Sequence, residues 1–188
     1  MVTVTFHQTC LIRIMLDMDV TIYRARLHDI PSIARLVNSA YRGSHSKIGW
    51  TTEADLLGGQ RTDEEDLTKI LNEPHNTILI GADEINRILG CVYLQKRDAV
   101  MYLGMLTVQP QLQANGLGKQ LLFAAEEFAR QKHCTVIEMT VISVRHELIA
   151  WYNRRGYRAS GEVKPFPADG KFGVAKQPLE FIVLSKTL

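Results

Sequence analysis

Met105-Leu-Thr-Val-Gln-Pro-Gln-Leu-Gln-Ala-Asn-Gly-Leu-Gly-Lys119 decides how the rest of the chain is read. The apolar run from Tyr102 to Val108 ends at Pro110, and polar residues with two glycines then lead into Leu117-Gly-Lys-Gln-Leu-Leu-Phe-Ala-Ala-Glu-Glu-Phe-Ala129. That order is strand, turn, helix. Gly116 and Gly118 carry no side chains, so the first free N–H groups of the helix can approach a ligand closely while the helix dipole favours negative charge. A phosphate or pyrophosphate suits such a terminus, although two glycines so spaced also suit a plain tight turn. Neither G-x-x-x-x-G-K-[ST] nor an early G-x-G-x-x-G is present, which argues against a nucleotide hydrolase or a nicotinamide enzyme.

Outward from this centre, hydrophobic period gives the other elements. Upstream strands are expected at 20–26, 77–82, 88–94 and 99–108, the last three linked by short polar turns as an antiparallel meander. Helices are expected from a cap at Asp29 to Tyr41, and over 63–71 with its acids in the first turn. A short helical piece is expected after Thr51 or Thr52. Downstream, a helix to about Lys132 crosses over to a strand at 135–141, which should run parallel to its predecessor. A helix at 145–155 stopped by Gly156 and strands at 157–163 and 179–184 close the chain. The fold class is α/β (α+β), a mixed central sheet with helices on its faces.

A chain of 188 residues with 46% hydrophobic content can bury one good core. Residues 18–188 read as a single domain. Residues 1–17 read as an N-terminal extension: an added edge strand, a frayed segment, or residues ahead of a start at Met18. They lack a signal peptide's basic region and cleavage site, and no apolar run approaches the roughly 18 residues of a membrane span. A net charge of +2 with scattered basic residues gives no footprint for nucleic acid. Cys10, Cys91 and Cys134 are widely spaced and unpaired in pattern, which suits a reducing, cytoplasmic setting and predicts no metal site.

Two stretches together resemble the GNAT (GCN5-related N-acetyltransferase) superfamily. Val108-Gln-Pro110 followed by Gln113-Ala-Asn-Gly116-Leu-Gly118 is similar to its acyl-CoA signature, [Q/R]-x-x-G-x-[G/A] after a strand ending V-x-P. About 35 residues on, Tyr152-Asn-Arg-Arg-Gly-Tyr157 resembles its Y-x-x-x-G-[F/Y] helix ending. The resemblance spans roughly residues 20 to 185 in element order. It implies splayed parallel strands, with the pantetheine arm of acetyl-CoA between the strand carrying Leu106, Thr107 and Val108 and the strand at 135–141. It also implies that backbone N–H groups over Gln113, Ala114, Asn115, Gly116, Leu117, Gly118 and Lys119 hold the pyrophosphate. Arg145 and Leu148 depart from the Asn and Ala that many members carry. Arg145 is then either a partner for a cofactor phosphate or a solvated helix residue.

The implied reaction is direct acetyl transfer from acetyl-CoA to an amine of a small molecule or an exposed protein group. Tyr152 resembles the general acid that meets the departing sulfur, and a backbone N–H near Val108 is expected to meet the oxyanion. Glu53 and Glu138 are the candidate bases, with Asp55 and His45 behind them. Each also has a surface-charge reading. Tyr93 and Tyr102 either line the acceptor channel or fill core. The mixed 42–62 stretch forms a substrate wall or a flap held by Trp50, and the aromatic, lysine-rich 164–176 segment closes over an acceptor or packs a homodimer contact. A non-catalytic acyl-CoA-binding regulatory module is the alternative.

Overall fold

The computed structural model describes residues 12–16, 18–167, 170 and 173–188. In chain order these give β1 (Ile12–Leu16), β2 (Met18–Arg24), α1 (Ile30–Tyr41), β3 (Leu57–Gly58), α2 (Glu64–Asn72), β4 (Asn76–Ala82), β5 (Ile88–Arg97) and β6 (Val100–Val108). They continue with α3 (Leu117–Gln131), β7 (Val136–Ile142), α4 (His146–Asn153), β8 (Arg158–Pro165), β9 (Val174–Ala175) and β10 (Glu180–Thr187). Eight strands form one mixed sheet in the order β1-β2-β4-β5-β6-β7-β10-β8, and β3 pairs with β9 apart from it. Within the expected 1–17 extension, Ile12–Leu16 pairs antiparallel with β2 at the sheet edge. Residues 1–11, among them Cys10, lie outside the described residues, as do residues 168, 169, 171 and 172 of the 164–176 segment. Cys91 and Cys134 are buried free thiols, burial pushing Cys91 up to about 12.

Two cores sandwich the sheet. On one face α3 contributes Leu117, Leu121, Leu122 and Phe128 against Leu79, Val92, Met101 and Leu103. On the other, α1 and α2 set Ile33, Val37 and Leu67 on Ile78, Ile80 and Cys91. The apolar stripe of α1 recurs at three- and four-residue spacing, so one side of the helix is buried against the sheet. Asp29 departs from its expected role. Its carboxylate accepts from the Arg26 N–H at 2.8 Å, upstream of α1, because a 3₁₀ turn over Leu27–Asp29 precedes the helix. Asp63, by contrast, caps α2 directly, accepting from the Asp66 N–H at 2.8 Å. The helical piece expected after Thr51 or Thr52 is instead a set of turns ahead of β3, the 3₁₀ helix lying earlier at His45–Ile48. Thr52 Oγ1 accepts from the Ala54 N–H at 3.1 Å, and such a local side-chain bond favours a turn over a helix.

Two irregularities in β6 position the site. Parallel pairing with β7 covers only Val100, Met101 and Tyr102, after which the two strands part. In addition the β5–β6 register slips between Cys91 and Tyr93, and Met105 takes φ 51°, marking a bulge. The extra residue changes which side chains face which core. Met101 and Leu103 pack on the α3 face, Met105 turns to the α1 face, and Leu106 and Val108 return to α3.

Gly90, opposite Val108 in the β5–β6 ladder, sets how closely α3 can approach. A Cβ there would lie 2.7 Å from Leu121 Cδ1 and 2.8 Å from the Thr107 carbonyl oxygen. Gly90→Ala is expected to cost about 1–3 kcal/mol through overpacking. A lowered urea midpoint at unchanged m would show this, whereas an unshifted midpoint would mean that the helix has room to move.

Candidate active site

Glycine shapes the start of α3. Gly116 adopts φ 88°, a left-handed conformation that lets the chain turn sharply into the helix. Among the described residues no backbone acceptor takes the N–H groups of Leu117 and Gly118, which stand at the open end of the helix dipole. A Cβ on Gly118 would reach Val108 Cγ2 at 3.6 Å and Trp151 Cζ2 at 3.7 Å, so glycine keeps the passage between strand and α4 open. A cavity of about 190 Å³ runs from this terminus along Leu106, Thr107 and Val108. Trp50, Trp151 and Arg155 line it as well, the Arg155 guanidinium stacking 3.5 Å from the Trp151 ring centroid.

On the far side of the parted strands lies a second cavity of about 310 Å³, bounded by Tyr102, Met105, Thr140, Phe166 and Phe181. Five residues line both cavities: Tyr41, Leu106, Arg145, Leu148 and Tyr152. Three of these come from one stripe, since Arg145, Leu148 and Tyr152 recur at i, i+3 and i+7 along the start and body of α4. Tyr41 closes the partition by donating its hydroxyl to the Leu106 carbonyl at 2.8 Å. The Tyr152 ring is fixed edge-on between Trp151 and Tyr157, with centroids at 5.0 and 5.6 Å. Burial first, and then the nearby Tyr41, hold the Tyr152 hydroxyl well above its usual pKa.

The wall behind this partition is ionic. Glu53 is 7% exposed and accepts from Arg42 Nη1 at 2.7 Å on one oxygen and from Arg145 Nη1 at 2.9 Å on the other. Arg145 Nη2 also donates to Thr51 Oγ1 at 2.6 Å. One carboxylate thus joins the end of α1, the 51–53 turn and the start of α4. Its pairing holds it between two cations instead of presenting it bare to the second cavity.

Of the residues singled out from sequence, Leu106, Thr107, Val108, Gln113, Ala114, Gly116, Gly118, Lys119, Arg145 and Tyr152 converge on the first cavity. Asn115 is exposed and is absent from the lining. The side chain of Leu117 packs in the core, leaving only its N–H at the helix start. Arg145 is 6% exposed and bound inside the triad, so the structure excludes its reading as a solvated helix residue. Glu138 sits 3.7 Å from Arg97, level with Tyr102 in the last paired step of β6 and β7, and lines neither cavity. Asp55 is a surface partner of Lys47, and His45 contacts Gln111 on the outer face. Tyr102 reaches Thr140 Oγ1 at 3.0 Å within the second cavity, while Tyr93 bonds Asn76. The 42–62 stretch serves both cavities, with Trp50 and Thr51 on one side and Glu53, Leu57 and Arg61 on the other. Tyr41, Arg42 and Arg155 have no separate signal in the sequence beyond ending a helical stripe or lying inside the Tyr152-to-Gly156 spacing.

Residues 35–157 match the Acetyltransferase (GNAT) family. The chain belongs to this family. Solved GNAT structures share its mixed sheet. The PaiA N-acetyltransferase of Thermoplasma acidophilum, in complex with coenzyme A, aligns with TM-score 0.69 and 15% identity over 91% of this chain and 100% of that one. A ribosomal-protein-alanine N-acetyltransferase from Brucella melitensis gives 0.66 and 20% over 89% and 99%. An IAA acetyltransferase from Bacillus cereus gives 0.64 and 17% over 90% and 100%. No curated protein matches the chain significantly. Among the described residues of this GNAT chain, no helix is long and apolar enough to cross a membrane, and no group of three or more His, Cys, Asp or Glu is placed to hold a metal.

Proposed function

We propose that this GNAT protein transfers the acetyl group of acetyl-CoA directly to a primary amine. The observation that carries the reading is the meeting of two cavities across the parted strands, one ending at a bare helix N-terminus and the other at aromatic and cationic walls. The pyrophosphate of acetyl-CoA suits the N–H groups of Leu117 and Gly118, with Lys119 beside them. The pantetheine arm then follows Val108, Thr107 and Leu106 to the partition. In the reaction the amine nitrogen bonds the acetyl carbon and loses a proton, while the carbon–sulfur bond breaks and CoA leaves as thiol. The open edge of β6 past Tyr102 supplies backbone N–H to the oxyanion.

The role of Tyr152 follows from its burial. A thiol ordinarily titrates near about 8.5, whereas the Tyr152 hydroxyl is held above its ordinary 10.0. Giving its proton away outright is therefore uphill, and Tyr152 acts by donating a hydrogen bond to the sulfur as charge develops there. Glu53, bound between Arg42 and Arg145, acts by positioning Arg145 and the turn at Thr51.

The test is a calorimetric titration with acetyl-CoA followed, in the same preparation, by thiol release across a panel of amines. Binding with amine-dependent release supports a transferase. Binding with no release from any amine favours the regulatory module, and no binding by folded protein overturns the cofactor assignment. Gly116→Asp sharpens the first step. A Cβ at Gly116 would meet nothing within 4 Å, and Asp and Asn tolerate left-handed backbone better than most residues. Gly116→Asp is expected to weaken acetyl-CoA by roughly tenfold or more through repulsion of the pyrophosphate, and neutral Gly116→Asn much less. Equal affinities for the two variants would remove the pyrophosphate from this helix end.

A further inference from the structure

Cations outnumber carboxylates in the lining of the acceptor-side cavity. Among the described residues its lining includes Arg61, Arg97, Arg145 and Lys164 against the single carboxylate of Glu53, whose two oxygens already accept from Arg42 and Arg145. The guanidinium of Arg97 lies over the Tyr102 ring at 4.3 Å, and Glu138 beside it stands outside the lining. Lys164 sits on the strand leading into Phe166, its ammonium 3.3 Å from the exposed carboxylate of Glu162, which also stands outside the lining. The remaining wall is apolar and aromatic, the rings of Phe166 and Phe181 being 5.2 Å apart.

We infer that the acceptor is a small amine bearing a carboxylate on an apolar or aromatic body, with the carboxylate drawn to a cation of the wall, Arg97 at one end or Lys164 at the other, and the body against Phe166 and Phe181. This rests on the acetyl-transfer reading above and narrows its substrate. A carboxylate gains charge-assisted hydrogen bonds from an arginine or a lysine, whereas an acceptor with several ammonium groups meets more cations than carboxylates. The same cations help the chemistry. Positive charge near an amine disfavours its ammonium form, so the neutral nucleophile is favoured where, among the described residues, no bare carboxylate lines the cavity to act as base. A volume of about 310 Å³ lies at the lower end of small-molecule sites.

The product side gives a test that does not depend on turnover. With the protein saturated with CoA, N-acetyl-L-phenylalanine and N-acetyl-L-phenylalaninamide are titrated by calorimetry. The carboxylate is expected to bind at least about tenfold tighter than the amide. In the double variant Arg97→Gln/Lys164→Gln the preference is expected to fall to within about twofold, with CoA affinity unchanged. Turnover should follow, thiol release from acetyl-CoA being faster with L-phenylalanine than with phenethylamine. Equal or tighter binding of the amide, binding of neither compound, or a preference that survives in the double variant overturns the inference. Failure of CoA itself to bind would instead mark failure of the acetyl-transfer reading.

Discussion

Tyr152→Phe is expected to lower kcat about a hundredfold, the usual loss when one donor to a developing charge is removed. The fold gives this variant little other reason to fail. Phenylalanine keeps the ring packed edge-on against Trp151 and Tyr157, and the Tyr152 hydroxyl makes no hydrogen bond to another described residue. Affinity for acetyl-CoA should therefore change by less than about threefold, because an interaction made in the transition state appears in kcat. Leaving-group chemistry offers a second readout. Acyl donors with more acidic thiols need less stabilisation at sulfur, so the deficit should shrink with them. A kcat within twofold of the parent, or a deficit independent of the donor thiol, would remove Tyr152 from the sulfur.

The second large effect is on stability. Glu53→Gln takes the carboxylate from between Arg42 and Arg145, which are 8% and 6% exposed. Breaking a buried pair on one side typically costs about 3–5 kcal/mol. For a domain of this size that corresponds to a fall in Tm on the order of 10 °C. Glu53→Asp keeps the charge on a shorter arm and should fall between the two. The loss of Tm follows from the buried pairs in either case, so activity well below the melt is what separates the roles: were Glu53 the base, Glu53→Gln would also lose kcat there and lose the acidic limb of the rate–pH profile. As a positioning residue it should leave that limb in place, with activity following the loosened Arg145.

The elements that could be read from sequence were those whose cause is local. The V-x-P strand end, the glycines at 116 and 118 and the Tyr152-to-Gly156 spacing each act within a few residues, and each appears where expected. Parallel pairing of β7 with β6 followed from the helical crossover. The bulge at Met105 did not, since an apolar strand with one extra residue reads the same until a neighbour fixes its register. The triad was hidden for a related reason. Arg42, Glu53 and Arg145 are far apart in the chain, and each alone is an ordinary surface charge. Only the folding of the 42–62 stretch onto α4 turns three such charges into one buried cluster. Glu138 shows the converse. It lies on the flanking strand as read, yet one step too early, where the strands are still joined.

That joining is brief: three residue pairs connect β6 to β7, so five strands on one side and three on the other form leaves stitched along a short seam. Anything seated in the gap is shared by both leaves and counts toward their cohesion. A ligand at a hundredfold excess over its Kd adds about 2.7 kcal/mol to the folded state. Such a gain slows transient opening and the proteolysis that follows it. Under the acetyl-transfer reading proposed above, CoA and acetyl-CoA would both count as such ligands, and resistance to proteolysis would follow how fully the gap is occupied.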